Sequence, residues 1–172
     1  MLAREHVART VCGRAVLRHV EVEAIIPAGV QAVWDLYTDH VSWTRWAGVG
    51  TVRLAREGIP PPNGVGCIRA ITNLGISVEE EVLSFDPPSR MTYRVVRGGL
   101  PMRDHLGEVC FEPHERGTRV VWRCRFESRI PGLGGVFQAL ITRLFRNALA
   151  SLARQPFPDT APRASARGGD RR

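Results

Sequence analysis

Lysine does not occur in this chain. All 24 basic residues are arginine, which excludes both a Schiff-base lysine and the phosphate-binding lysine of Walker-type loops. Cysteine is sparse and unpatterned. Cys12, Cys67, Cys110 and Cys124 form no C-x-x-C pair and no zinc-type spacing, so neither a metal site nor a disulfide scaffold is expected, only reduced structural thiols. No run of about 18 apolar residues exists that could cross a bilayer. The first fifteen residues carry Arg4, Glu5, Arg9 and Arg14 without a continuous apolar stretch, which predicts no secretory signal and a cytoplasmic protein. There is no internal repeat and no nucleotide-binding motif, and no cofactor is expected.

What remains is a chain of 172 residues, 44% hydrophobic, long enough to bury about two-thirds of the surface its unfolded form exposes in one core. The formal charge of +7 invites a nucleic-acid or membrane reading. The arginines, however, are scattered rather than clustered, and no nucleic-acid motif accompanies them, so no specific nucleic-acid partner is expected. A GC-rich genome produces the same arginine bias.

Val16, Val20, Val22, Ala24 and Ile26 recur with the period of a half-buried strand, which Pro27 ends. Val30, Val33, Trp34 and Tyr37 then take helical spacing, and Val41, Trp43 and Trp46 allow a second small helix between Asp39 and Ala47. From Val49 to Ser128 the chain reads as five or six strands separated by turns at Pro60–Gly64, Leu74–Gly75, Asp86–Pro88, Gly98–Gly99 and His114–Gly117. Without helical crossovers, that meander predicts an antiparallel sheet. After Pro131-Gly132, Leu133, Val136, Phe137, Leu140, Ile141, Leu144, Phe145, Leu149 and Leu152 form a stripe at intervals of three and four, opposite Gln138, Arg143, Arg146 and Asn147. This predicts a long amphipathic helix. The expected organisation is an N-terminal arm over 1–13, one α+β domain over 14–154, and a disordered tail rich in arginine, proline and glycine over 155–172.

A strand, two short helices, a strand meander and a final long helix are the layout of the helix-grip fold, a curved antiparallel sheet of six to seven strands around the C-terminal helix. From about residue 15 to 154 the chain resembles the SRPBCC superfamily, specifically its bacterial polyketide cyclase/dehydrase-like branch, related to START lipid-transfer domains and birch-pollen-type allergens. The resemblance rests on IIPAGVQAVWDLYTD (25–39), SWTRW (42–46), GVGCIR (64–69), EEEVLSFDPPSRMTYRV (79–95), HLGEVCFEP (105–113) and GTRVVWRCRFESRIPG (117–132), in that order and spacing. It implies a hydrophobic cavity between sheet and long helix that holds a lipid, polyketide, isoprenoid or other aromatic small molecule. Some relatives catalyse cyclisation or dehydration, and others only bind or carry.

The residues expected on that cavity follow from register. Drawn as a two-residue hairpin, Asn73-Leu74-Gly75-Ile76 sets Asn73 opposite Ile76, Ile71 opposite Val78 and Arg69 opposite Glu80, all on one face. Val78 and Val82 make that face the inward one, while Glu79 and Glu81 point outward. Met91, Tyr93 and Val95 face inward on the next strand. His105, Val109 and Phe111 follow on the strand after it, and Val120, Trp122, Cys124 and Phe126 on the last. Phe137 and Ile141 approach from the helix. Arg119, Arg123 and Arg125 fall on the outer face. His6, His19, His40 and His114 read as terminal, outward or in turns.

Two readings of the inward Arg69–Glu80 pair stand: a self-neutralising buried ion pair, or polar handles for a ligand's carbonyl or hydroxyl. Cyclase-type chemistry needs a base to take a proton alpha to a carbonyl and a donor for the enolate. Glu80 or His105 fits the first role, and Arg69 or Tyr93 the second. Trp34 and Trp46 read as anchors of the short helices, and Gly98-Gly99-Leu100-Pro101 as a plain turn or a gate. The expected function is binding of a hydrophobic small molecule by a monomer or homodimer, with cyclase/dehydratase activity as its enzymatic form. The alternative is an interaction protein using its arginine-rich outer face on an acidic surface, membrane or nucleic acid, or on a regulatory partner, with membrane contact weak.

Overall fold

The computed structural model describes residues 16–157. The expected N-terminal arm and all but 155–157 of the expected tail lie outside them. The elements are β1 (Leu17–Ile26), α1 (Val30–Thr38), a 3-10 turn (His40–Ser42), α2 (Trp43–Trp46), β2 (Thr51–Arg56), β3 (Ile68–Asn73), β4 (Ile76–Asp86), β5 (Arg90–Gly98), β6 (Met102–His114), β7 (Gly117–Ser128) and α3 (Gly134–Leu152). Seven strands form one antiparallel sheet in the order β1-β7-β6-β5-β4-β3-β2. Every neighbour except β1–β7 is adjacent in sequence, as a meander requires.

The β3–β4 hairpin adopts the expected register, with Asn73 opposite Ile76, Ile71 opposite Val78 and Arg69 opposite Glu80. Its two turn residues, Leu74 and Gly75, have φ of 49° and 80°, the positive pair that lets a two-residue turn follow the right-handed twist of its strands. Leu74 adopts this conformation while 95% exposed.

Besides a register shift between Leu54 and Arg56 in β2, strict alternation fails at three further β-bulges, each of which re-aims side chains. Between β4 and β5, Glu79 pairs with Arg97 but Glu80 pairs with Val95. The extra residue, Val96, keeps Val95 inward and turns Arg97 outward onto Glu79. A second bulge inserts Leu83 between Val82 and Ser84. The third lies in β6, between Arg103 and Leu106, where Asp104 has φ of 53°.

The outer face is a lattice of cross-strand ion pairs. Glu81 bridges Arg56 and Arg94, both at 2.7 Å, Arg123 reaches Glu21 at 2.6 Å, and Arg119 contacts both Glu23 and Glu112. The inner face carries the core. Trp34 of α1 packs edge-on against Phe85 and Phe111, and Tyr37 against Phe111, Trp43 and Trp122. The long helix lies along β1 and β7 at one side of the sheet, burying Phe137, Ile141, Phe145, Ala148, Leu149 and Leu152. Its apolar stripe is wider than the face it buries: Val136, Leu140 and Leu144 stay substantially exposed. Because the sheet curves away from α3 toward β3–β5, a space opens between them.

Candidate functional site

That space is a cavity of about 260 Å³. Its floor is Ile71, Asn73, Val78, Glu80, Tyr93, Val95 and Trp122 from the sheet. One end is closed by Trp43 of α2 and by Ala47 and Val49 just after it, the other by Gly99, Leu100, Met102 and His105. Leu140, Ile141, Leu144, Phe145 and Ala148 of α3 form the roof, and Leu74 and Ile76 reach its rim from the hairpin tip. Phe145 stacks on Trp122 with ring centres 4.0 Å apart, so helix and sheet meet directly at the back of the space.

Of the residues expected from sequence, Glu80, His105, Ile71, Asn73, Val78, Tyr93, Val95, Trp122 and Ile141 line this cavity. Val82, Met91, Val109, Phe111, Val120, Phe126 and Phe137 do not. They have the inward parity expected of them but are packed in the solid core, where side chains of α1 and the ends of α3 fill the space above the sheet. Trp34 and Trp46 are likewise core rather than wall, whereas Trp43 is wall. The roof residues Leu140, Leu144 and Phe145 were visible as part of the helical stripe. Met102 was not, because only the β6 bulge allows Met102 and His105, of opposite parity, to face the same space.

Arg69 requires a correction. It pairs with Glu80 as expected, but its side chain is fully buried and lies behind the cavity wall rather than on it. Arg69 Nε donates to Glu80 Oε2 at 2.9 Å, and Nη2 lies 2.8 Å from the same oxygen outside hydrogen-bonding angle. The guanidinium is held between two aromatic faces, 4.4 Å from the Trp43 ring centre and 4.6 Å from that of Tyr93, as cation–π attraction favours. Burial opposes its charge, yet the Glu80 carboxylate keeps its pKa above the ordinary arginine value.

Around this ion pair lies a buried polar cluster. Tyr93 accepts a hydrogen bond from Trp122 Nε1 at 2.8 Å, and Trp43 Nε1 donates to the Tyr37 carbonyl at 2.7 Å. The Tyr37 hydroxyl, His40 Nε2 and Arg69 Nη1 are buried without a partner. His40 sits in a turn, as the sequence suggests, yet it is fully buried, with Nδ1 3.9 Å from Cys67 Sγ, because the 3-10 turn that carries it folds under β2. Burial first, and the Arg69 charge second, hold the His40 pKa well below the usual histidine value. Burial also lowers that of His105, with the Glu80 charge opposing and the Arg69 charge assisting. Both phenols, Tyr37 and Tyr93, are pushed upward by burial, and the Cys124 thiol to about 12. Cys67, Cys110 and Cys124 are free thiols. Among the described residues no cluster of His, Cys, Asp or Glu has metal-binding geometry, and no helix is long and apolar enough to cross a membrane.

A sheet gripping a C-terminal helix over an apolar cavity with one carboxylate in its wall defines a hydrophobic-ligand-binding fold of the helix-grip class. The chain belongs to the polyketide cyclase/dehydrase and lipid transport family, whose model matches residues 18–155, within the SRPBCC superfamily. It is similar to a solution structure from Thermobifida fusca, with 22% identity and a TM-score of 0.67 over 78% of this chain and 90% of that one. It is also similar to norcoclaurine synthase from Thalictrum flavum in complex with dopamine and hydroxybenzaldehyde, at 14% identity, TM-score 0.63, 89% of this chain and 92% of that one. The structure of Ara h 8.0201 matches at 11% identity and TM-score 0.63, over 80% of this chain and 96% of that one. At these identities the likeness is one of fold. No curated protein matches the sequence.

Proposed function

We propose that the protein binds one small hydrophobic molecule, of polyketide, isoprenoid or other compact lipid type, in the cavity beneath α3. The supporting observation is the wall itself, almost entirely aliphatic and aromatic, with a few convergent polar groups, Asn73, Glu80, Tyr93 and His105. That combination is what small-molecule sites present. Arg94, Arg119 and Arg123 of the outer face are occupied by cross-strand glutamates, which makes an acidic surface the weaker choice of partner.

In an enzymatic form of this function, Glu80 or His105 is the group placed to take a proton from a bound molecule. Arg69, behind the wall, is not placed to contact the resulting enolate, and the Tyr93 hydroxyl is the remaining donor. Trp43 and Trp122 both touch the cavity, so tryptophan fluorescence reports on its occupancy. Titration with naphthalene should quench that emission and saturate at one molecule per chain. No saturable signal with naphthalene, nor with its hydroxylated and carboxylated analogues, removes the binding function.

A further inference from the structure

The charge of the wall is one-sided, since Glu80 is its one carboxylate and no arginine faces it, and that asymmetry selects among hydrophobic molecules. Both Arg69 contacts fall on Oε2 of Glu80, and Oε1 takes no hydrogen bond among the described residues, while the side chain remains 13% exposed at the cavity. An ion-paired carboxylate only accepts hydrogen bonds. Trp122 Nε1 and Trp43 Nε1 are committed, to Tyr93 and to the Tyr37 carbonyl, and the donors left on the wall, the Asn73 amide, the Tyr93 hydroxyl and the His105 ring, carry no fixed positive charge. No arginine lines the cavity, and the chain has no lysine.

A carboxylate or phosphate entering here would meet the Glu80 charge with no cation on the wall, a like-charge contact in a desolvated space. The lowered pKa of His105 means that it supplies no compensating charge near neutral pH. An ammonium group fares little better, because Arg69 already neutralises Glu80 and a second cation would be left uncompensated. A purely apolar guest would enter but leave Oε1 desolvated and unpaired.

Resting on the binding function above, we infer that the cavity selects an uncharged alcohol or phenol, whose hydroxyl donates to Oε1 of Glu80 while its hydrocarbon body lies among Trp43, Tyr93, Trp122 and Phe145, and that it rejects the corresponding acids.

Three probes of one shape test this: naphthalene, 2-naphthol and 2-naphthoate, titrated at neutral pH by tryptophan fluorescence and calorimetry. A hydrogen bond to a charged acceptor predicts 2-naphthol tighter than naphthalene by about tenfold or more, with 2-naphthoate weakest. Because Glu80→Gln alone would strand Arg69, the pair is replaced together. In R69M/E80L the ratio of naphthol to naphthalene affinity should collapse to about one. Equal binding of naphthol and naphthalene by the native protein, tightest binding of naphthoate, or a ratio that survives in R69M/E80L overturns the selectivity but leaves the binding function standing. Failure of all three probes to bind overturns the binding function and this inference with it.

Discussion

The ring of Tyr93 occupies the place where Gly107 would carry a side chain. The two residues face each other across β5 and β6, and a β-carbon on Gly107 would lie 2.2 Å from Tyr93 Cζ. The same ring is a face of the Arg69 sandwich, accepts the Trp122 hydrogen bond and forms part of the cavity floor.

Gly107→Ala should therefore act on all of these at once. Forcing the ring aside is overpacking, which costs about 1–3 kcal/mol, and urea denaturation should show a loss in that range together with weakened naphthalene binding. A variant as stable as the native protein would mean that the ring moves without cost.

Arg69 and Glu80 should be strongly coupled. Removing either partner alone, as in Arg69→Met or Glu80→Leu, leaves a charge in the interior and should cost about 3–5 kcal/mol. The double variant should recover most of that loss, since an apolar pair of similar volume is often nearly neutral. A double-mutant cycle by chemical denaturation measures the coupling, and additive losses would contradict it.

Stability should fall on mild acidification. The folded pKa values of His40 and His105 are lowered, so below about 6.5 the unfolded chain takes up protons that the folded chain does not. The stabilisation is complete above the unfolded value and is lost as pH falls toward each folded one, with a slope approaching about 1.4 kcal/mol per pH unit for each histidine. Glu81, whose pKa is lowered by its Arg94 and Arg56 partners from 4.5, acts only at more acid pH. Urea midpoints between about pH 5 and pH 7.5 should show this slope, and His40→Gln should reduce it by roughly half.

Leu74→Asn should stabilise the hairpin. A left-handed backbone conformation costs an ordinary side chain about 1–2 kcal/mol, and asparagine before glycine suits this turn. Thermal denaturation should show a gain of roughly 1 kcal/mol, because the nearly fully exposed leucine gives up little burial.

The element order and the β3–β4 register were legible in the sequence because a two-residue turn leaves one pairing, and that pairing set Arg69 against Glu80. Parity could name the inward face but not divide it. Phe111 and Tyr93 share a face, yet Phe111 lies under Tyr37 and Trp34 while Tyr93 looks into open space, a distinction set by where α1 and α3 settle. The β6 bulge depends on one residue, Asp104, in a conformation that the sequence does not announce, which hid Met102. His40 was hidden for a different reason: three residues of 3-10 turn have no periodicity from which an inward side could be read.

At about 260 Å³ the interior falls just below the span of roughly 300–1,000 Å³ usual for drug-sized ligands. A long-chain guest would thus be only partly swallowed, its trailing end emerging between the hairpin tip and α3. There Leu74, Ile76, Leu140 and Leu144 stand exposed and would serve as a greasy doorstep. The loaded molecule would then present the outside world with a surface made jointly by protein and passenger.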